Sequence, residues 1–497
     1  MIEMVALTSD ITLILVIVVS YLALVLGVGQ YASSRTGGSR EEYLMASRSF
    51  GTIVLLAALF ATNMSAVVMI GAPGLAYNIG PNAYGYFIGL LVFTFPLLMM
   101  TIGHRVWLVG KQFGHITPAQ VLNHRFESTY LGLFAMLLFT FWTVPYLLVG
   151  IQGGGIAFEA LTEGFVPYWA GGLIITLVVL AYVSAGGMRG TGWTNAFQGA
   201  VFVIALIGFA IVIPQQLGGF RAATSAALEV NPALLNRADL PPLTWKSYTS
   251  VAVLVSIETF ILPHLFIRYM TGRSSRKLQR TAVVYPIALM LTWGPAVMLG
   301  FWGVGQFPNI DNPDFILPAL IQANFPTWLV GLALAGILAA LMSTLDGQVL
   351  TLATMLTEDI LRPFVDITDR AEVLMTRLFI VAILAVAYVA ALLTRESIID
   401  TTIFAFSGYA LMFFPIVTAL YTRRVTKHAS AVGLALGFAG LWGFQLGILP
   451  GSLTFGFLPV IPLLVVQLAA MLVVALATSP PSDERIDAYA NLFEDSW

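Results

Sequence analysis

The sequence predicts an all-α polytopic membrane protein of about thirteen transmembrane helices. Three observations carry that reading. Hydrophobic residues make up 58% of the chain and charged residues only 10%, and mean hydropathy is strongly positive. Soluble domains hold less apolar and far more charged sequence. The apolar residues gather in runs of about 20, the length that crosses a bilayer as a helix. Finally, carboxylates, hydroxyls and amides interrupt several of these runs, and polar groups at membrane depth are by default functional candidates.

Composition also excludes classes. A net charge of −2 gives no sign of nucleic-acid binding, and the absence of cysteine removes disulfide and thiol chemistry. The N-terminus has no basic region before its first apolar run, so the first helix is expected to stay in the mature protein. His104, His115, His124, His264 and His428 stand singly, without metal-ligand spacing. No nucleophile–base pair, metal cluster or nucleotide motif appears, so no enzyme, cofactor or obligate protein partner is expected.

Thirteen candidate spans lie at roughly 11–31, 51–77, 83–109, 128–157, 166–186, 195–215, 248–270, 281–305, 327–356, 374–394, 399–421, 430–449 and 455–477. With the N-terminus outside, nineteen of the 23 basic residues fall on the cytoplasmic side; only Arg221, Arg237, Lys246 and Arg395 fall outside. The positive-inside rule therefore favours N-out and C-in in the cell (inner) membrane, which requires an odd number of spans.

Span 2 carries the polar island Ala61-Thr62-Asn63-Met64-Ser65-Ala66, then Gly71-Ala72-Pro73-Gly74. Pro73 removes a backbone donor. Two readings stand: a plain kink, or a broken helix whose free carbonyls bind ions and solute at mid-membrane. Span 4 holds Trp142, Pro145, Tyr146 and Gln152, then Gly153-Gly154-Gly155, which reads as close helix packing rather than a phosphate loop. Span 5 ends at a short glycine-rich loop, Ser184 to Gly190, before Trp193-Thr194-Asn195. Residues 216–247 form the longest polar insertion, expected outside with a short surface helix.

Span 7 contains Ser256-Ile257-Glu258-Thr259-Phe260, then Pro263-His264 and Arg268. Glu258 is either a functional acid or a buried structural one. Interrupted segments early in each half point to inverted repeats of about five spans with a site between them. In span 9, Ser343, Thr344 and Asp346 arrive together, and on a helix Ser343 lies one turn from Asp346 and Gly347. That oxygen-rich patch suits a hard cation such as Na⁺; the plainer alternative is hydroxyls bonded back to carbonyls one turn earlier. Pro480–Trp497 reads as a mobile polar tail.

Taken together, these residues resemble the sodium/solute symporters, the family of the proline, pantothenate, sugar and monocarboxylate carriers, over roughly residues 11–475. The matching stretches are Arg48-Ser49-Phe50-Gly51, Gly71-Ala72-Pro73-Gly74, Gly186-Gly187 with Trp193-Thr194-Asn195, and Pro263-His264 with Arg268-Tyr269-Met270. Ala339 to Leu345, Thr357-Glu358-Asp359 and Ser407-Gly408 complete the set. The resemblance implies a LeuT-like core of 5+5 inverted repeats, at about 48–217 and 246–421, within a transporter domain of 1–477 and a short cytoplasmic tail, 478–497. It implies a sodium site formed by the carbonyls of Ala61, Met64 and Ala340 and the hydroxyls of Ser343 and Thr344. It places a solute cavity among Asn63, Ser65, Trp142, Tyr146, Gln152, Glu258, Phe260 and Ser407.

Two departures stand out. Many members carry Asp where this chain has Asn63 and Asn195, and relatives often have Ser where it has Asp346. Either Asp346 and Asn195 share a second ion or proton site, or Asp346 is protonated or simply hydrogen-bonded to Asn195. The expected function is sodium-coupled import of a small organic solute: a monocarboxylate, a pantothenate-like acid or an amino acid. A proton-coupled symporter and a transporter-like solute sensor are the alternatives, and a sensor is disfavoured by so short a tail.

Overall fold

The computed structural model describes residues 2–34, 39–236, 240, 243–394 and 396–494. Arg35, Arg237 and Arg395, used in the orientation argument, lie outside the described residues. The described residues are helical almost throughout. The long elements are α1 (Ile2–Ser34), the broken pair α2 (Thr52–Asn63) and α3 (Ala72–Ile79), α4 (Asn82–Phe113), α5 (Thr129–Leu161) and α6 (Tyr168–Gln216). A second group follows: the pair α7 (Trp245–Glu258) and α8 (Pro263–Met270), α9 (Ser275–Gln306), α10 (Thr327–Met355) and α11 (Asp369–Leu393). The chain closes with α12 (Ile398–Tyr421), α13 (Lys427–Gln445), α14 (Val460–Ala477) and α15 (Asp483–Glu494). Among the described residues, ten helices are long and apolar enough to cross a membrane, or up to eleven with the bent α2–α3 pair.

Burial separates inner helices from outer ones. The apolar window of α7–α8 is 89% buried and that of α10 is 83% buried, against 28% for α11. The outer helices keep apolar side chains exposed, as in Leu378, Val381, Val386 and Val389 of α11, a surface suited to lipid rather than water. Small residues set the inner contacts, since close backbone approach is what drives helix association in a bilayer. A Cβ added at Gly153, Gly154 or Gly155 would lie 2.8, 2.4 or 2.5 Å from Ala66, Ile175 or Tyr168. The triple glycine is a packing surface. One at Gly300 would lie 2.0 Å from the Pro73 carbonyl oxygen, so α9 rests directly on the broken helix.

Helix α6 is 49 residues long, about 73 Å at the helical rise, more than twice a bilayer core. It is interrupted at Gly187, whose φ of 52° and ψ of −145° are non-helical. Only glycine fits there, because a Cβ would also meet the Tyr43 carbonyl oxygen at 2.5 Å. The 216–247 insertion does form a surface helix, Phe220–Val230. The tail departs from the sequence reading. Residues Asp483–Glu494 form α15, held down because Ile486, Tyr489 and Phe493 fall on one face and are buried. Tyr489 stacks on Phe113 at 5.1 Å and its hydroxyl meets His124 Nδ1 at 3.1 Å.

Candidate functional site

The broken helix makes the site. α2 stops at Asn63, and Met64 is extended at φ −87° and ψ 90°. A wide turn over Val67–Gly71 then leads into α3, with Pro73 in its first turn, where its missing N–H is tolerated. The two halves are bent by 56°. Ser65 explains part of the polar island: its Oγ accepts from the Val67 N–H at 3.1 Å and starts the second half. α7 breaks likewise after Glu258, and Pro263 begins α8.

The α2 end lies against α10. Ser343 Oγ lies 2.8 Å from the Ala61 carbonyl oxygen and 2.9 Å from that of Ala340, with one proton to give between them. Thr344 Oγ1 lies 3.5 Å from each of the same two oxygens. The back-bond to Ala340 is the one a plain membrane helix makes; the bond across to Ala61 is not. Gly347 permits this approach, since a Cβ there would meet Thr62 Cγ2 at 2.5 Å.

One turn further, Asp346 is fully buried. Tyr182 donates to its Oδ2 at 2.9 Å, and Thr194 Oγ1 lies 3.5 Å from the same oxygen. Asn195 Nδ2 donates to Oδ1 at 3.3 Å and to Thr62 Oγ1 at 2.8 Å. The structure thus brings Asp346 and Asn195 together. It also adds Arg268, whose Nη2 lies 3.7 Å from Asp346 Oδ1 and whose Nη1 donates to the Ala58 carbonyl at 3.1 Å. The orientation reading places Arg268 among the cytoplasmic charges; it is 1% exposed. Pro263–Met270 is otherwise apolar but for His264 and Tyr269, and that apolar setting was the signal that this arginine turns inward. With a guanidinium at that range, Asp346 has its counter-charge, and a cation placed beside it would be repelled.

A small cavity of about 20 Å³ lies between α2, α4, α5, α7, α9 and α12. Of the expected solute residues, Asn63, Tyr146 and Glu258 line it. The others face elsewhere. Trp142 fills the space over Gly408, where a Cβ would come within 1.9 Å of its ring. Gln152 donates to the Thr394 carbonyl at 3.1 Å, and Ser407 Oγ donates to Ile403 at 2.7 Å. Phe260 packs on Phe95 at 5.3 Å, and Ser65 Oγ accepts from the Val67 N–H and bonds Tyr146 from behind. Phe87, Trp293, Phe406 and Thr259 line the cavity and were missed. Thr259 and Phe406 adjoin expected residues in sequence; Phe87 and Trp293 carry no local signal.

Outside the spans, Asp314 holds the start of α12: its Oδ2 accepts from the Ile398 N–H at 3.0 Å. It packs closely on α3, where a Cβ added at Gly74 would come within 3.0 Å of its Oδ1. Burial pushes this carboxyl up to about 6, against the opposing pull of the Ile398 N–H.

Residues 43–437 match the model of the sodium:solute symporter family. The high-affinity proline transporter PutP of Bacillus subtilis is 26% identical over 491 residues, covering 94% of this chain and 99% of the relative. The sodium/pantothenate symporter of Escherichia coli is 27% identical over 468 residues, covering 92% and 94%. Among solved structures, the substrate-bound outward-open state of a Na⁺-coupled sialic acid symporter superposes with a TM-score of 0.79 at 18% identity, covering 95% of this chain and 99% of that one. MHP1, a nucleobase-cation-symport-1 family transporter in a closed conformation with bromovinylhydantoin bound, gives 0.59 at 14% identity, covering 90% and 98%.

Proposed function

We propose a mechanism from one premise: the chain belongs to the sodium:solute symporter family. It is a transporter, not an enzyme, and couples movement of a small solute to sodium. In our reading sodium binds where α2 ends against α10, held by the carbonyls of Ala61, Met64 and Ala340 and the hydroxyls of Ser343 and Thr344. The observation that carries this is the 2.8 Å contact of Ser343 Oγ with the Ala61 carbonyl across two helices. To accept an ion, both hydroxyls must turn their protons away from those carbonyls. Each lost hydrogen bond costs about 1 kcal/mol, so the ion is held weakly enough to leave on every cycle.

The solute cavity adjoins it through Asn63, the residue next to the first unwound carbonyl, with Tyr146 and Glu258 opposite. In this reading Ser65, Trp142, Gln152, Phe260 and Ser407 shape the walls from behind. The architecture is a LeuT-like 5+5 repeat, 48–217 and 246–421, whose equivalent breaks are Met64–Ser65 and Thr259–Leu262. The count reaches thirteen when α6 is two crossings meeting at Gly187, α2–α3 is one, and α13 is another. The N-terminus is outside and the C-terminus inside the cell membrane. Sodium stabilises an outward-open form, solute binds, and the repeats rock against each other. The membrane potential contributes about 2.3 kcal/mol per charge per 100 mV. We assign Asp346 and Asn195 to a structural latch with Arg268, not to a second ion.

Uptake into proteoliposomes under an imposed sodium gradient tests this reading. Accumulation should follow sodium and fall at least tenfold in affinity for sodium in Ser343→Ala and Thr344→Ala. Accumulation that follows an imposed pH gradient instead would move the assignment to proton coupling.

A further inference from the structure

Glu258 ends α7 immediately before the unwound Thr259–Leu262 stretch. It lines the cavity and is 1% exposed. Its Oε1 accepts from the Thr259 hydroxyl at 3.0 Å, and its Oε2 has no hydrogen-bond partner among the described residues. Among the described residues, none that lines it is Lys, Arg or His. A carboxylate at bilayer depth costs at least about 2.5 kcal/mol, and one left without a counter-charge is worse placed than a paired one. Asp346 shows the contrast: it has Arg268. The end of a helix also carries partial negative charge, which adds to that of the carboxylate.

The remaining walls are aromatic. Phe87 stacks on Trp293 at 4.9 Å, and Tyr146 meets Phe406 edge-on at 5.1 Å. Ring faces attract cations, most strongly where water is excluded. An anionic solute would find neither a basic side chain nor a neutral wall here; it would find Glu258.

We infer that the transported solute carries an ammonium group, which pairs with Glu258 between these aromatic rings, and that organic anions lacking an amine are rejected. Zwitterions and simple cations both qualify; bare monocarboxylates and pantothenate-like acids do not. The cavity volume of about 20 Å³ holds roughly a water molecule, so the rings separate when solute enters. This inference rests on the symport reading only for taking this cavity as the solute site.

The test is thermal shift of the purified, detergent-solubilised full chain in sodium buffer with four probes: choline, L-proline, pantothenate and lactate. An ammonium probe should raise the melting temperature, and neither anion should. In Glu258→Gln, which keeps the shape and removes the charge, the half-saturating concentration should rise at least tenfold, with the ligand-free melting temperature held or raised. Glu258→Asp should fall between. No shift with either ammonium probe, a shift with an anion alone, or equal affinity in Glu258→Gln overturns the inference. Failure here leaves the symport reading intact if sodium still drives uptake of an anion. Ammonium binding without sodium-driven uptake would retain this inference and remove coupling.

Discussion

Asp346 and Ser343 are three residues apart on one helix, yet their surroundings assign them opposite work. Ser343 faces a carbonyl of the broken helix; Asp346 faces a guanidinium. Removing one member of a buried pair leaves the other uncompensated, at a cost of about 3–5 kcal/mol. Asp346→Asn should therefore lower the melting temperature sharply while changing the half-saturating sodium concentration less than threefold. A tenfold loss of sodium affinity at unchanged stability would make Asp346 an ion ligand. Gly347→Val should be worse for activity than its size suggests, because its side chain would drive Thr62 and the adjoining α2 end away from α10. Sodium-dependent stabilisation should then disappear, which a melting series with and without sodium reads directly.

At the scale of elements, the breaks and their ties matter most. Asp314 holds the start of α12 outside the spans. Its carboxyl sits at about 6 rather than its ordinary 3.8, so between about pH 4 and 6 the folded state binds more protons than the unfolded one. Its contribution to stability is thus greatest at low pH and declines as pH rises through that window, levelling above it. Asp314→Asn, neutral throughout, should flatten this slope and raise the melting temperature at pH 7.5, by an amount that vanishes near pH 4. The tail helix α15 is a second tie. Deleting residues after 478 exposes Phe113 and uncovers His124, and should lower the melting temperature while sparing sodium affinity.

The whole molecule makes a claim about direction. Because the chain has no cysteine, single cysteines report topology without background. Thiols placed at Gly219 and Ser274 should be labelled from opposite sides of the membrane by an impermeant reagent, Gly219 from outside. The reverse pattern would overturn the orientation drawn from the basic residues.

Helix class, membrane character and the hydroxyl pair of α10 followed from the sequence alone, because apolar run length and polar interruptions are local properties. The break before Pro263 was also legible, since a missing N–H acts within one turn; in the second span the sequence left a kink and a break both open, and the structure breaks at Met64, inside the polar island and well before Pro73. The fate of Arg268, the side chains that actually line the cavity, and the docking of the tail were not. Phe87 and Trp293 lie on helices far apart in sequence and meet only when the bundle closes. Whether a buried carboxylate has a counter-charge depends on which helix packs beside it. Tertiary packing gave Asp346 its arginine and left Glu258 with none, and no pattern within either segment distinguishes the two.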